Sequence, residues 1–355
     1  LRILTAGVLA GVLIESGAAA KIAETIVEKI GESRALIALA IATMVLTMVG
    51  VFVDVSVITV SPIALAIAHK SGLSKPAILL AMVGGGKAGN IMSPNPNTIA
   101  AADNLGVSLT NVMIAGIVPA IFGVIITCIL ASRIKQKGSL VESDEHMKEL
   151  TDMPGFLPAM VGPLVAIILL MLRPIAGIAI DPLIALPVGG ICGILAMGKI
   201  KYINKYATYG LAKMSGVAIL LIGTGTLAGI IANSGLKDVI ISGINALGLP
   251  SFMLAPVSGI LMSAATASTT SGTAVATSVF GPTIVQLGVA PLATAAMIHA
   301  GATVLDHLPH GSFFHATGGS VSMDMKERLK LIPYESLVGL TMTIVSTIIF
   351  GIILK

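Results

Sequence analysis

The stretch GGGKAGNIMSPNPNTIAAA (84–102) decides how this chain reads. It interrupts a long apolar run. Pro94 and Pro96 forbid regular helical hydrogen bonding there, and Gly84, Gly85 and Gly86 loosen the helix ahead of them. Asn90, Ser93, Asn95, Asn97 and Thr98 crowd the break with donors and acceptors. In hydrocarbon an unsatisfied backbone group costs several kcal/mol, so such a break persists only around a cavity or against other protein. The run Thr98–Ala102 can restart as a half-helix whose N-terminus favours an anion. Lys87 adds a positive charge at membrane depth, where a charge is functional by default.

The surroundings are membranous. Of 355 residues 55% are hydrophobic and only 11% charged, whereas soluble domains carry about 25% charge. The missing charge means that most of the surface faces lipid or other helices. A soluble enzyme is thereby excluded. Nucleic acid is excluded as a partner despite the net charge of +4, because the basic residues sit in short stretches between apolar runs. Cys128 and Cys192 lie deep in such runs and read as packing groups.

Apolar segments fall at 1–16, 35–68, 76–101, 112–132, 157–172, 176–198, 214–234, 253–287, 291–318 and 336–354. A crossing needs about 20 residues, so 35–68 is too long for one span, yet basic residues flank both its ends. With Asp54 and Ser56 at its middle it reads as a re-entrant hairpin. The stretch 253–287, with hydroxyls from Ala267 to Thr273 at its middle, reads the same way. The resulting path puts 17–34, 69–75, 133–156, 199–213 and 319–335 together as cytoplasmic loops. Those loops hold all Lys and Arg except Arg2, Arg173, Lys237 and Lys355 on the other side and Lys87 within the membrane.

The chain repeats itself. TAGVLAGVLIESG (5–17) aligns without gaps to GTGTLAGIIANSG (223–235), and Pro76, Ala81, Met82, Gly86 and Pro94 align to Pro291, Ala296, Met297, Gly301 and Pro309. In the topology above the matched helices run oppositely, so the repeats are inverted, as in many secondary transporters. The expected architecture is an all-α membrane protein of two inverted repeats, each with a re-entrant hairpin and a broken, unwound transmembrane helix. Residues 1–132 form the first repeat, 133–156 a cytoplasmic linker and 157–355 the second. Two helices precede the match in the second repeat and none in the first, so an N-terminal helix pair is expected to lie ahead of Leu1.

The partner break is GATVLDHLPHGSFFHATGG (301–319), with Asp306, His307 and His310 around Pro309 and Gly311. An acid beside a histidine can take and release a proton near neutral pH, which suits coupling. Asp54 at a hairpin tip needs a proton or cation for the same reason. Ser268, Thr269, Thr270, Ser271, Thr273 and Ser312 are expected to grip substrate oxygens together with Asn90, Ser93, Asn95, Asn97, Thr98 and Lys87. No HExxH or cysteine pair accompanies the histidines, so neither a metal nor a cofactor is expected.

The stretches SGAAAKIAETIVEKIGESRA (16–35), SPNPNTIAAADNLGVSL (93–109) and HAGATVLDHLPHGSFFH (299–315) resemble the gluconate permease family, GntP, within the ion transporter superfamily. The resemblance runs over essentially the whole chain. It implies proton-coupled uptake of hydroxy-acids by a multi-pass protein of the bacterial inner membrane. Carriers of that superfamily are often dimers, so it also implies a homodimer. The better-known gluconate carriers have a histidine-containing, proline-rich break where SPNPN stands here, so a related hydroxy-acid or small carboxylate is as compatible as gluconate. The leading expectation is therefore symport of a small organic anion with protons. Sodium coupling, an anion channel and an intramembrane hydrolase built on Asp306 and His307 are the alternatives. The last lacks a nucleophile beside those residues.

Overall fold

The computed structural model describes residues 2–141 and 153–354, apart from 236, 237, 240, 241, 244, 245 and 247. Residues 142–152 of the charged linker at 133–156 and the two basic residues Lys237 and Lys355 therefore lie outside the described residues. The described chain is almost entirely helical. Among these residues four helices are long and apolar enough to cross a membrane: Val53–Ser71, Leu109–Arg133, Phe156–Ala176 and the compound helix Met325–Ile353.

The first half opens with α1 (Arg2–Glu15), which bends by 61° into α2 (Ala18–Ile30) at Gly17, whose φ of 78° suits only glycine without strain. Within α2, Ala18, Ala19, Ile22, Ala23 and Val27 form a buried stripe, and Lys21 pairs with Glu24 at 2.7 Å on the other face. Next come α3 (Ala35–Met48) and α4 (Val53–Ser71), α5 (Lys75–Asn90), α6 (Pro96–Leu105) and α7 (Leu109–Arg133). A helix pair, α8 (Phe156–Ala176) and α9 (Pro182–Ala196), leads to the long α10 (Ile203–Ala232). Then follow α11 (Leu254–Thr266), α12 (Thr269–Val279), α13 (Gly281–Gln286), α14 (Pro291–Gly301), α15 (Ser312–Ser320), α16 (Met325–Lys330) and α17 (Ile332–Thr347).

The order repeats. In each half a glycine-rich helix (α1, α10) precedes a helical hairpin (α3–α4, α11–α12), a helix opened by proline (α5, α14), a short half-helix (α6, α15) and a last apolar helix (α7, α17).

Several boundaries differ from the sequence reading. The stretches 17–34, 199–213 and 319–335 are not loops. α2 fills the first with a buried apolar stripe on one face, α10 starts inside the second at Ile203, and α16, capped by Asp324, lies in the third. The first hairpin turns at 49–52, where Gly50 takes φ 104°, and not at Asp54 and Ser56. Those two residues instead occupy the first turn of α4. The second hairpin turns at Ala267 (φ 45°) and Ser268, and Gly272 lies so close that an added Cβ would stand 2.7 Å from the backbone of Ser263.

The glycine triplet does not loosen its helix. α5 runs unbroken through Gly84, Gly85 and Gly86 to Asn90. A side chain at Gly84 would run into Thr127, at Gly85 into the Ala40 carbonyl and at Gly89 into Thr47 and the Met44 carbonyl. These glycines let α3 and α7 approach α5, which is how small residues serve helix packing in membranes. The break begins only at Ile91. It ends at Pro96 rather than Thr98, because proline is pre-organised for the first helical position, where its missing N–H costs nothing.

Candidate functional site

Both hairpins and both breaks face one cavity of about 590 Å³. Four helices begin at its wall. Phe52, Val53, Asp54 and Val55 come from the start of α4 and Asn97 from the start of α6. Ser268, Thr269, Thr270 and Ser271 come from the start of α12, and Gly311, Ser312 and Phe313 from the start of α15. Each half thus supplies the second arm of its hairpin and the half-helix after its break. A helix N-terminus presents free N–H groups and about half a positive charge. Four of them around one space make it attractive to an anion.

Side chains complete the wall. Ser268 caps α12 by accepting from the Ser271 N–H at 3.2 Å. The buried Ser271 hydroxyl has no hydrogen-bond partner among the described residues. Asn90 is held by Asn95, whose Nδ2 donates to Asn90 Oδ1 at 2.8 Å. Asn97 Nδ2 donates to His299 Nε2 at 2.6 Å, a contact from the first break to α14 of the second half.

Asp306 is the other cross-link. It lines the cavity and is 5% exposed. Its Oδ2 accepts from Thr269 Oγ1 at 2.5 Å and its Oδ1 from Lys87 Nζ at 2.5 Å. Lys87, 1% exposed, also donates to the Thr303 carbonyl at 2.8 Å and contacts His307 Nδ1 at 2.8 Å. His307 Nε2 faces the Ile332 carbonyl at 3.1 Å, which can only accept. In the neutral ring Nε2 therefore carries the proton, and Nδ1 accepts from Lys87. A second proton on Nδ1 would point at Asp306 Oδ1, 3.0 Å away, and would compete with Lys87 for that oxygen. Behind His307, at 4.0 Å, lies Glu335, bound by Arg328 through contacts of 2.5 and 3.2 Å. Arg328 is itself 1% exposed, stacked 4.6 Å over Phe314 and bonded to Thr317. Buried charges are kept only when paired in this way.

Of the residues singled out in the sequence, Asn90, Asn97, Ser268, Thr269, Thr270, Ser271, Ser312, Asp54, Asp306 and His310 line this cavity. Lys87 and His307 stand one layer behind Asp306. Ser93 is buried and bonds back to the Asn90 carbonyl. Asn95, Thr98 and Thr273 are buried outside the lining, each with a side-chain oxygen lacking a partner among the described residues.

Four residues escaped the sequence reading. Lys213 lines the cavity from α10, although it reads as the end of a cytoplasmic loop; its helix starts ten residues earlier, at Ile203. His299 carried no polar neighbours in sequence. Arg328 and Glu335 both read as part of the cytoplasmic loop 319–335. No group of three or more His, Cys, Asp or Glu fit to hold a metal occurs among the described residues.

Comparison with known proteins agrees with this architecture. A family model described as GntP family permease matches residues 2–353. A Haemophilus influenzae protein described as an uncharacterized transporter is 69% identical over 353 residues, which are 99% of this chain and 84% of that protein. A gluconate permease of Bacillus licheniformis is 24% identical over 348 residues, covering 87% of this chain and 76% of its own. The crystal structure of the Alcanivorax borkumensis YdaH transporter, described as having an unusual topology, superimposes with a TM-score of 0.70. It is 17% identical and covers 99% of this chain and 85% of that one.

Proposed function

The chain belongs to the GntP family of permeases, and from that membership and the cavity we propose that it carries a small hydroxylated carboxylic acid, gluconate or a relative, by symport with protons. The observation that carries the proposal is the meeting of four helix N-termini and a set of hydroxyl and amide side chains around about 590 Å³. Small-molecule sites commonly measure about 300–1,000 Å³. Such a wall offers donors to a carboxylate and both donors and acceptors to hydroxyls. Asn90, Asn97, Ser268, Thr269, Thr270, Ser271 and Ser312 are the substrate ligands in this reading. Ser93, Asn95, Thr98 and Thr273 support them from behind. Asp54, Asp306, His307 and His310 are the proton-handling groups, and Lys87 holds Asp306 in place.

The repeating element order supports inverted repeats, with 1–132 and 157–355 as the two halves. It also supports re-entrant hairpins dipping into the inner membrane and the basic stretches on the cytoplasmic side. The 24% identity to a gluconate permease makes gluconate the first substrate to try, and the family assignment makes a carrier the first class to test ahead of a channel.

The test is uptake into proteoliposomes. Labelled gluconate, other sugar acids, hydroxy-acids and dicarboxylates are offered under an imposed proton gradient. Saturable counterflow and loss of uptake to a protonophore at clamped sodium are expected. Uptake indifferent to the protonophore would point to sodium, and conductance without counterflow to a channel. Asn97→Ala should weaken binding of the best substrate, and unchanged binding would remove Asn97 from the site.

A further inference from the structure

We infer that Lys213 is the residue that recognises the substrate carboxylate, and that Asp54, across the same cavity, competes with that carboxylate for it. The inference rests on the transport reading above and names the specificity determinant and coupling device of that site.

Two lysines are near enough to matter, and their surroundings differ. Lys87 is spent. Its ammonium is saturated by the Asp306 carboxylate, the Thr303 carbonyl and the ring of His307, and it does not line the cavity. Lys213 does line it, and it makes no ion pair or hydrogen bond among the described residues. Its ammonium lies over the ring of Tyr209 on its own helix, 5.7 Å from the centroid, a range where cation–π attraction is about 1 kcal/mol at most for an exposed pair. Lys213 is therefore the cation facing this cavity that still has its donors to give.

The opposing charges are few. From α4 the cavity receives Asp54, and from the segment before α15 it receives Asp306 and His310. Asp306 is bound by Lys87 and Thr269. No titratable side chain reaches the cavity from α5, α6 or α12. Asp54 is left as the one acid there without a bound cation among the described residues, and it lines the same cavity as Lys213. Ionised, Asp54 draws the flexible lysine towards α4. Protonated, it releases the lysine to an incoming carboxylate. One proton taken up on Asp54 thus accompanies one anion bound at Lys213, and the occupied cavity carries no more net charge than the empty one. That is the charge balance of an electroneutral one-to-one symport, met here by two side chains that line one cavity.

The test is binding of labelled gluconate, and of its uncharged reduced counterpart sorbitol, to purified protein between pH 5 and 8. Wild-type affinity for gluconate should weaken as pH rises, because ionised Asp54 competes. Lys213→Gln should bind gluconate at least tenfold more weakly at pH 5 and leave any weak sorbitol binding unchanged, while Lys213→Arg should keep most of the affinity. Asp54→Asn should bind gluconate at all pH values as wild type does at pH 5, and should catalyse counterflow without proton-driven accumulation. Neither Lys213 nor Asp54 has a partner whose loss would unfold the chain, and unchanged thermal transitions would check this. Equal gluconate affinity in Lys213→Gln and wild type, or an unaltered pH profile in Asp54→Asn, would overturn the inference and leave the transport reading standing. If wild type binds none of the sugar acids, hydroxy-acids or dicarboxylates, both fall together.

Discussion

The Lys87–Asp306 pair joins the first half to the second at full burial, so its removal has a calculable consequence. At an effective dielectric constant of about 20, unit charges 2.5 Å apart attract by about 7 kcal/mol, and much of that offsets the cost of taking both ions out of water. The net worth of the pair is therefore modest, whereas the cost of orphaning one member is large. Asp306→Asn leaves the ammonium with a carbonyl and an imidazole, and Lys87→Met leaves the carboxylate with one threonine hydroxyl. Each should destabilise by about 3–5 kcal/mol. The double variant strands neither charge, and its loss should fall short of the summed singles by about 3 kcal/mol. Equilibrium unfolding in mixed micelles measures all four corners of the cycle, with uptake assayed in parallel. The amide that replaces the Asp306 carboxylate can still bond Thr269 but cannot take up a proton, so the double variant should regain stability without regaining proton-driven uptake. Additivity to within about 0.5 kcal/mol would show that the two charges do not sense each other. Full recovery of uptake would show that the pair is only a scaffold.

Other parts of the structure make separate predictions. Gly85→Ala drives a methyl into the Ala40 carbonyl and should cost about 1–3 kcal/mol by overpacking, whereas Gly319→Ala, which meets nothing, should cost no stability; thermal denaturation compares them. Glu335→Gln leaves Arg328 buried and uncompensated and should cost about 3–5 kcal/mol. Arg328→Lys should not restore a stable protein, since it loses the fork to Glu335 and the stack on Phe314. Arg2 bonds Asp181 at 2.6 Å in the α8–α9 connection and also pairs with Asp103. The Arg2 bond holds the Asp181 carboxyl below its ordinary range, so its contribution is present above about pH 4 and fades as pH falls below it. Both side chains are more than a third exposed, so Asp181→Asn should cost under about 1 kcal/mol at neutral pH. That difference should shrink in high salt and at acid pH, as pH-dependent unfolding would show.

The sequence carried the class of the fold and most of the cavity wall, for a physical reason. Prolines and clustered polar groups in an apolar run are tolerated only around a cavity or against other protein, so 90–98, 268–273 and 301–312 declared themselves. Glycine was harder to read, because one residue serves two opposite purposes. At Gly50 it permits a turn, whereas at Gly84–Gly86 it permits close packing of a continuous helix, and only the neighbours Thr127, Ala40 and Val53 tell these apart. Lysine was harder still. Lys213 and Lys199 look alike in sequence, as interfacial cations near tyrosines. The difference arises because α10 begins at Ile203 and carries Lys213 ten residues along, about 15 Å up its axis at 1.5 Å per residue. The pairs Asn97–His299 and Arg328–Glu335 are contacts between elements, and no local pattern announces them.

The links between the halves limit how such a cavity could change its exposure. Lys87 to Asp306, Asn97 to His299, and Asn104 to Thr277 at 2.8 Å and the Ala274 carbonyl at 3.2 Å join α5 and α6, on either side of the first break, to the second half's break, α14 and hairpin. The first two are buried and would have to be broken if the broken helices moved apart. A rearrangement that spares them carries α5, α6, α12, α14 and the 302–311 segment as one piece. Outside that piece the wall consists of the starts of α4 and α15 and of α10, which packs along α12 and through Gly210 on Gly7 and Gly11 of α1 and presents Lys213 to the cavity. The cation proposed to hold the substrate then stands on one side of the moving seam, with Asp306 and the hydroxyls of α12 on the other. A ligand bridging both sides would couple its own binding to closure of the seam, and its carboxylate would have to leave Lys213 for the seam to reopen.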